Sequence, residues 1–95
     1  MARRNSGGRG GRNITLISRS ALCVLSGVSE RQLTLWEHEE LLVPSTTSEI
    51  DGRREPLYDA SALKRARVIR TLAEELEVNL PGIGVILNLL DQMPH

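Results

Sequence analysis

Residues 28–44, VSERQLTLWEHEELLVP, constrain this chain most, because they specify the start, the buried face and the end of one short helix. Ser29 can cap its N-terminus, and Gln32, three residues on, closes a capping box. Leu33, Trp36 and Leu41 or Leu42 then return at helical spacing and give the helix one buried face, and Pro44 ends the segment. Upstream, SRSALCVLSGVSE supplies a first short helix, with Gly27 in the tight turn before Val28. Two such helices joined by a short glycine-containing turn form a helix-turn-helix unit. The bland alternative is an ordinary helical hairpin in a small all-α domain.

The next stretch, STTSEIDGRREPLYD, is polar and turn-rich, and Asp51-Gly52 is a strong hairpin dipeptide. A two-stranded wing folding back at residues 51–54, with Arg53 and Arg54 at its tip, is the natural reading. A third helix runs from its N-cap Asp59 to about residue 77, with Leu63, Ala66, Ile69, Ala73 and Leu76 as its apolar stripe. Lys64, Arg67 and Thr71 then face the opposite side. A fourth helix opens at Asn79, with Pro81 in its first turn, where a missing N–H costs little.

Roughly residues 15–93 resemble the MerR family of winged-helix proteins. In that family a recognition helix ends in Trp or Tyr, then Glu, then Gly-Leu-Leu-x-Pro, and is followed by a Gly-Arg-bearing wing and an aromatic-Asp pair opening a third helix. Here the matches are Val28-Ser29, Leu33, Trp36-Glu37, Leu41-Leu42-Val43-Pro44, Gly52-Arg53-Arg54 and Tyr58-Asp59. The stretch Glu77-Val78-Asn79-Leu80-Pro81-Gly82-Ile83 and the apolar run after it are similar to the fourth helix of two branches, the heat-shock repressors and the small CbpM-like chaperone modulators that bind J-domain proteins. The proline leans toward the modulators. The implied fold is mainly α, a winged helix-turn-helix with a short two-stranded wing and two following helices. Residues 14–95 would form that domain. Helices are expected near 18–26, 29–41, 59–77 and 80–93, and the wing between 42 and 58. A third strand, or a core built on a sheet, would sink the assignment.

Charge separates two functional readings. Net charge is zero, yet residues 1–12 carry four arginines and no acid, so the remainder is acidic. Residues 30–51 hold six acids against Arg31, whereas residues 53–70 hold six bases against two acids. The Gly/Arg-rich segment 1–13 cannot bury apolar area and is expected to be a disordered arm, following phosphates or serving as a solubilising leader.

The leading reading is a small DNA-binding transcriptional regulator with double-stranded DNA as its partner. Arg31, Gln32 and Thr34 would read the major groove, and Arg53, Arg54, Lys64 and Arg67 would lie along phosphates. A solvated helix face is the alternative for Lys64 and Arg67. The second reading is a modulator of a J-domain co-chaperone, whose basic helix would meet the acidic residues 37–40 and the apolar strip of the fourth helix. Two departures from the family bear on this choice: Thr34 stands where an arginine is usual, and Glu40 where glycine is usual before Leu-Leu. The segment Glu55-Pro56-Leu57 also lengthens the wing.

In the fourth helix Ile83, Ile86, Leu87 and Leu90 fit a core-facing stripe. Val85, Leu89 and Met93 project elsewhere, and an exposed apolar strip marks a partner surface. A chain this short buries only about 60% of its unfolded surface. A homodimer through the fourth helix is therefore expected.

Nothing points to an enzyme, since no Ser/His/Asp or Cys/His set is apparent and His38 lies among glutamates. No cofactor or metal site is expected, and the single cysteine, Cys23, lies in an apolar run and reads as a small core residue. The sequence has no long apolar run or secretory leader pattern, so a cytoplasmic protein without membrane contact is expected.

Overall fold

The computed structural model describes residues 15–93. The chain runs β1 (Ile17–Ser18), α1 (Arg19–Ser26), α2 (Glu30–His38), β2 (Thr46–Ile50), β3 (Arg53–Tyr58), α3 (Ala60–Arg70), a π-helical turn (Thr71–Glu75) and α4 (Leu80–Gln92). It is mainly helical, with a small antiparallel sheet of order β1-β3-β2. The segment expected to be a disordered arm lies outside the described residues.

The helix ends are local. Ser18, Ser29, Asp59 and Asn79 each cap a helix, accepting the backbone N–H of Ala21, Gln32, Ala62 and Gly82. At the end of α1, Gly27 adopts φ 73°, and the N–H groups of Gly27 and Val28 both return to the Cys23 carbonyl. This left-handed cap turns the chain into α2, and Val28 is buried beneath it.

α2 stops at His38, three residues before the expected end. Glu40 takes φ 61°, in the left-handed region where glycine is at ease. Leu41 and Leu42 are therefore buried from the connecting segment rather than from the helix.

Asp51 and Gly52, with φ 52° and 75°, close the β2–β3 hairpin, and Ile50 pairs with Arg53 across the turn. The sequence predicts two strands here and three are present, which overturns the two-stranded form of the expected fold and leaves its mainly helical character. β1 pairs Ile17 with Tyr58 and Ser18 with Leu57. Counting from the hairpin turn, residues 53, 55 and 57 aim their backbone groups at β2, so position 56 aims toward β1. Pro56 has no N–H to offer there, and Ser18 already caps α1, so β1 ends after two residues. The added strand leaves the core mainly helical: Leu22, Leu33, Trp36, Ala66, Ile69, Ile83 and Leu87 come from helices, joined by Leu42 of the connector and Tyr58 of β3.

α3 is α-helical only to Arg70, after which the backbone widens into the π turn. That turn rotates the end of the expected stripe outward, so Leu76 is exposed while Ala66 and Ile69 are buried. In α4, Ile83 and Leu87 are buried and Ile86 is half-buried. Leu90, expected in the core, is 46% exposed. None of the described helices is long and apolar enough to cross a membrane.

Candidate functional site

α2 is the element on which the two readings divide, and its polar side chains are largely engaged within the chain. Gln32 accepts the Ser29 backbone N–H at 3.1 Å through Oε1 and donates through Nε2 to Glu74 in the π turn at 2.8 Å. Both ends of the amide expected to read adenine are thus occupied.

Arg19, the first residue of α1, reaches across the same helix. Its guanidinium donates to Glu30 at 3.2 Å, to Thr34 Oγ1 at 2.7 Å and to Glu37 at 3.1 Å. Residues 30, 34 and 37 lie one and two turns apart, so a single cation ties one whole face of α2. The second Glu37 oxygen accepts from the Tyr58 hydroxyl. Burial, and after it the bond to Glu37, hold the Tyr58 phenol well above its ordinary range. Glu37 therefore belongs to the frame, and the acidic face expected over residues 37–40 is reduced to Glu39 and Glu40. Arg19 had no distinguishing signal in the sequence, since its partners are 11 to 18 positions away.

The other expected cations fall into three groups. Arg31 is exposed on α2. Arg53 and Arg54 are exposed on β3; Arg53 lies 4.0 Å from Glu55, and Arg54 donates to Thr47 at 3.5 Å. Lys64 and Arg67 are exposed on α3, where Arg67 donates to the Leu25 carbonyl at 3.1 Å and fastens α3 to α1. The structure does not gather these cations onto α2: Arg31 shares that helix with Glu30 and Glu37, and the exposed Glu39 follows at its C-cap.

Arg65 turns the opposite way from Lys64 and Arg67. It donates to the Leu41 carbonyl at 2.7 Å and to Asp91 at 3.0 Å, linking the 39–45 connector, α3 and α4. Around it lies an open groove of about 450 Å³, in which Glu40, Asp59 and Asp91 outnumber Arg65, with Val43 and Pro44 on its apolar side. The backbone N–H of Ala62, in front of the nearby hydroxyls, keeps the Asp59 carboxyl below the usual carboxylate range. With Asp91 paired to Arg65, Glu40 and Asp59 leave the groove with an excess of acid. Sequence spacing did not reveal it, because its carboxylates come from three separate segments.

On α4, Val85 and Leu89 are 61% and 58% exposed, and Met93, the extended residue that ends the helix, is 57% exposed. Cys23 is buried in the core, and burial pushes its thiol up.

Residues 17–95 match the family described as MerR HTH family regulatory proteins. Over 38 residues, 40% of this chain, the sequence is 42% identical to the chaperone modulatory protein CbpM from strains of Coxiella burnetii. That stretch is 36% of the relative's length.

Proposed function

The chain belongs to the MerR HTH family of regulatory proteins, and from that premise we propose that it regulates by binding a protein, a J-domain co-chaperone, rather than by reading DNA. The observation that carries this reading is the occupation of Gln32 and Thr34 by Glu74 and Arg19. Reading a base would require breaking those bonds. Arg19 would keep Glu30 and Glu37, so the cost falls on the two bonds themselves, which are exposed and modest in energy.

The acidic groove around Arg65 supports the same reading. Glu40, Asp59 and Asp91 together offer a basic partner helix a negative surface bordered by Val43 and Pro44. The same groove would repel a phosphate backbone. The resemblance of part of the chain to a chaperone modulatory protein agrees in kind. Self-association through Val85, Leu89 and Met93 on α4 completes the proposal, and no catalytic step is involved.

A second reading, a DNA-binding regulator, is favoured by the exposure of Arg31, Arg53 and Arg54. In it α1 and α2 are the helix-turn-helix, the β2–β3 hairpin is the wing, and Lys64 and Arg67 extend the phosphate contact.

Titration calorimetry of the full chain against the J-domain co-chaperone of its own organism, and against duplex DNA at low salt, separates the two. The expected result is co-chaperone binding that Glu40→Lys with Asp91→Lys abolishes, and duplex binding that disappears when residues 2–12 are removed. Duplex binding that survives this deletion and falls with Arg53→Ala would overturn the proposal.

A further inference from the structure

α3 carries a second groove on the side opposite Arg65, with the reverse charge. Lys64, Arg67, Val68, Thr71 and Leu72 line an open depression of about 270 Å³. These positions recur at helical spacing, so it runs along the helix axis for about 12 Å, roughly two turns. Val68 and Leu72 are half-buried and form its floor, while Lys64 and Arg67 stand exposed at its edge. Beyond the Arg67 anchor on the Leu25 carbonyl, Leu25 and Val24 add exposed apolar surface at the end of α1; Val24 is 80% exposed.

The charge of this groove is unbalanced. Among the described residues no ion pair involves Lys64 or Arg67, and the Leu25 carbonyl that holds Arg67 is neutral. The acid further along, Glu74, is already bound by Arg70 and Gln32.

We infer that this groove docks an acidic amphipathic helix of a partner protein. Apolar side chains of that helix, at three- and four-residue spacing, fill the Val68–Leu72 floor, and its carboxylates meet Lys64 and Arg67. Nucleic acid fits less well, because a sugar-phosphate backbone over these cations would lie against Val68, Leu72 and Leu25 without using them. The surface is distinct from the acidic groove around Arg65 and takes the opposite charge, so the small domain can hold two unlike segments on the two sides of α3.

The test is amide-shift mapping of the isotope-labelled full chain with three probes. These are a synthetic acidic amphipathic helix of about four turns, its lysine-substituted analogue and a short DNA duplex. The acidic peptide alone should shift residues 64–72 and 24–25. Lys64→Glu combined with Arg67→Glu should weaken it about tenfold, as expected for reversing two exposed charge pairs. Lys64→Glu alone, which touches no internal bond, should melt like the native chain and weaken the peptide severalfold, separating loss of binding from loss of folding. Equal binding of the lysine analogue, peptide shifts confined to other elements, or duplex shifts at 64–72 in place of peptide shifts would each overturn the inference.

Discussion

Tyr58, the last residue of β3, donates its hydroxyl to Glu37, 21 positions earlier on α2, and the same carboxylate accepts from Arg19 at the start of α1. One acid thereby holds three elements together. Replacing the phenol by Tyr58→Phe leaves a partly buried carboxylate oxygen without its donor, and the expected cost is about 1–3 kcal/mol in urea unfolding.

The same pair sets a pH response. The unfolded phenol titrates near 10, whereas the folded one keeps its proton beyond that, because burial and Glu37 both disfavour the phenolate. Above pH 10 the unfolded chain therefore binds fewer protons, and stability falls as pH rises. Tyr58→Phe should remove most of this decline. A smaller slope from Cys23, whose thiol is also raised by burial, should remain. Urea midpoints measured between pH 8 and 11 for both proteins check this, and an unchanged slope in the variant would refute it.

Glu40 provides a test of backbone strain. It adopts φ 61° at the position where glycine is usual before Leu-Leu in the family. Glu40→Gly should stabilise the chain by up to about 1 kcal/mol, relief of the left-handed strain outweighing the added freedom of the unfolded chain. Glu40→Ala, which keeps the strain, should not.

At Gly82 the usual rule reverses. A glycine inside a helix is normally improved by alanine by roughly 0.5–1 kcal/mol. Here a Cβ would come within 2.9 Å of Val78 Cγ1 and 3.0 Å of Asn79 Oδ1, the oxygen that caps α4. Gly82→Ala should therefore lower the melting temperature, at a cost of order 1 kcal/mol.

Self-association through α4 predicts a dimer in sedimentation equilibrium that Leu89→Glu converts to monomer without unfolding it. A native chain that remains monomeric at high concentration would leave the strip of Val85, Leu89 and Met93 to a different protein.

Features encoded within a few residues were legible before folding: the capping box of Ser29 and Gln32, the caps Asp59 and Asn79, the left-handed Gly27 and the Asp51-Gly52 turn. Those that depend on distant segments were not. β1 is two residues long and forms by pairing some forty positions away, too short for any alternating pattern to signal. The early end of α2 ran against the helical spacing of Leu41, which stays in the core by another backbone route. For the candidate site, the exposed positions of Arg31, Arg53, Arg54, Lys64, Val85 and Leu89 could be read from amphipathic spacing. The engagement of Gln32, Thr34 and Glu37 could not, because Arg19, Glu74 and Tyr58 reach them only in the folded chain.

The π turn at Thr71–Glu75 marks a point where the chain can lose length cheaply. A wide turn of this kind holds one residue more than the α-helix it interrupts, over nearly the same advance round the axis. Loss of a single residue there, such as Ala73, would restore regular winding and leave the segments on either side close to their present register. The 42–45 connector has no such slack. Leu42 is buried, the Ser45 N–H bonds the Leu57 carbonyl and its hydroxyl accepts the Asp59 N–H, so one residue lost there would disturb the core, the hairpin and the start of α3 together.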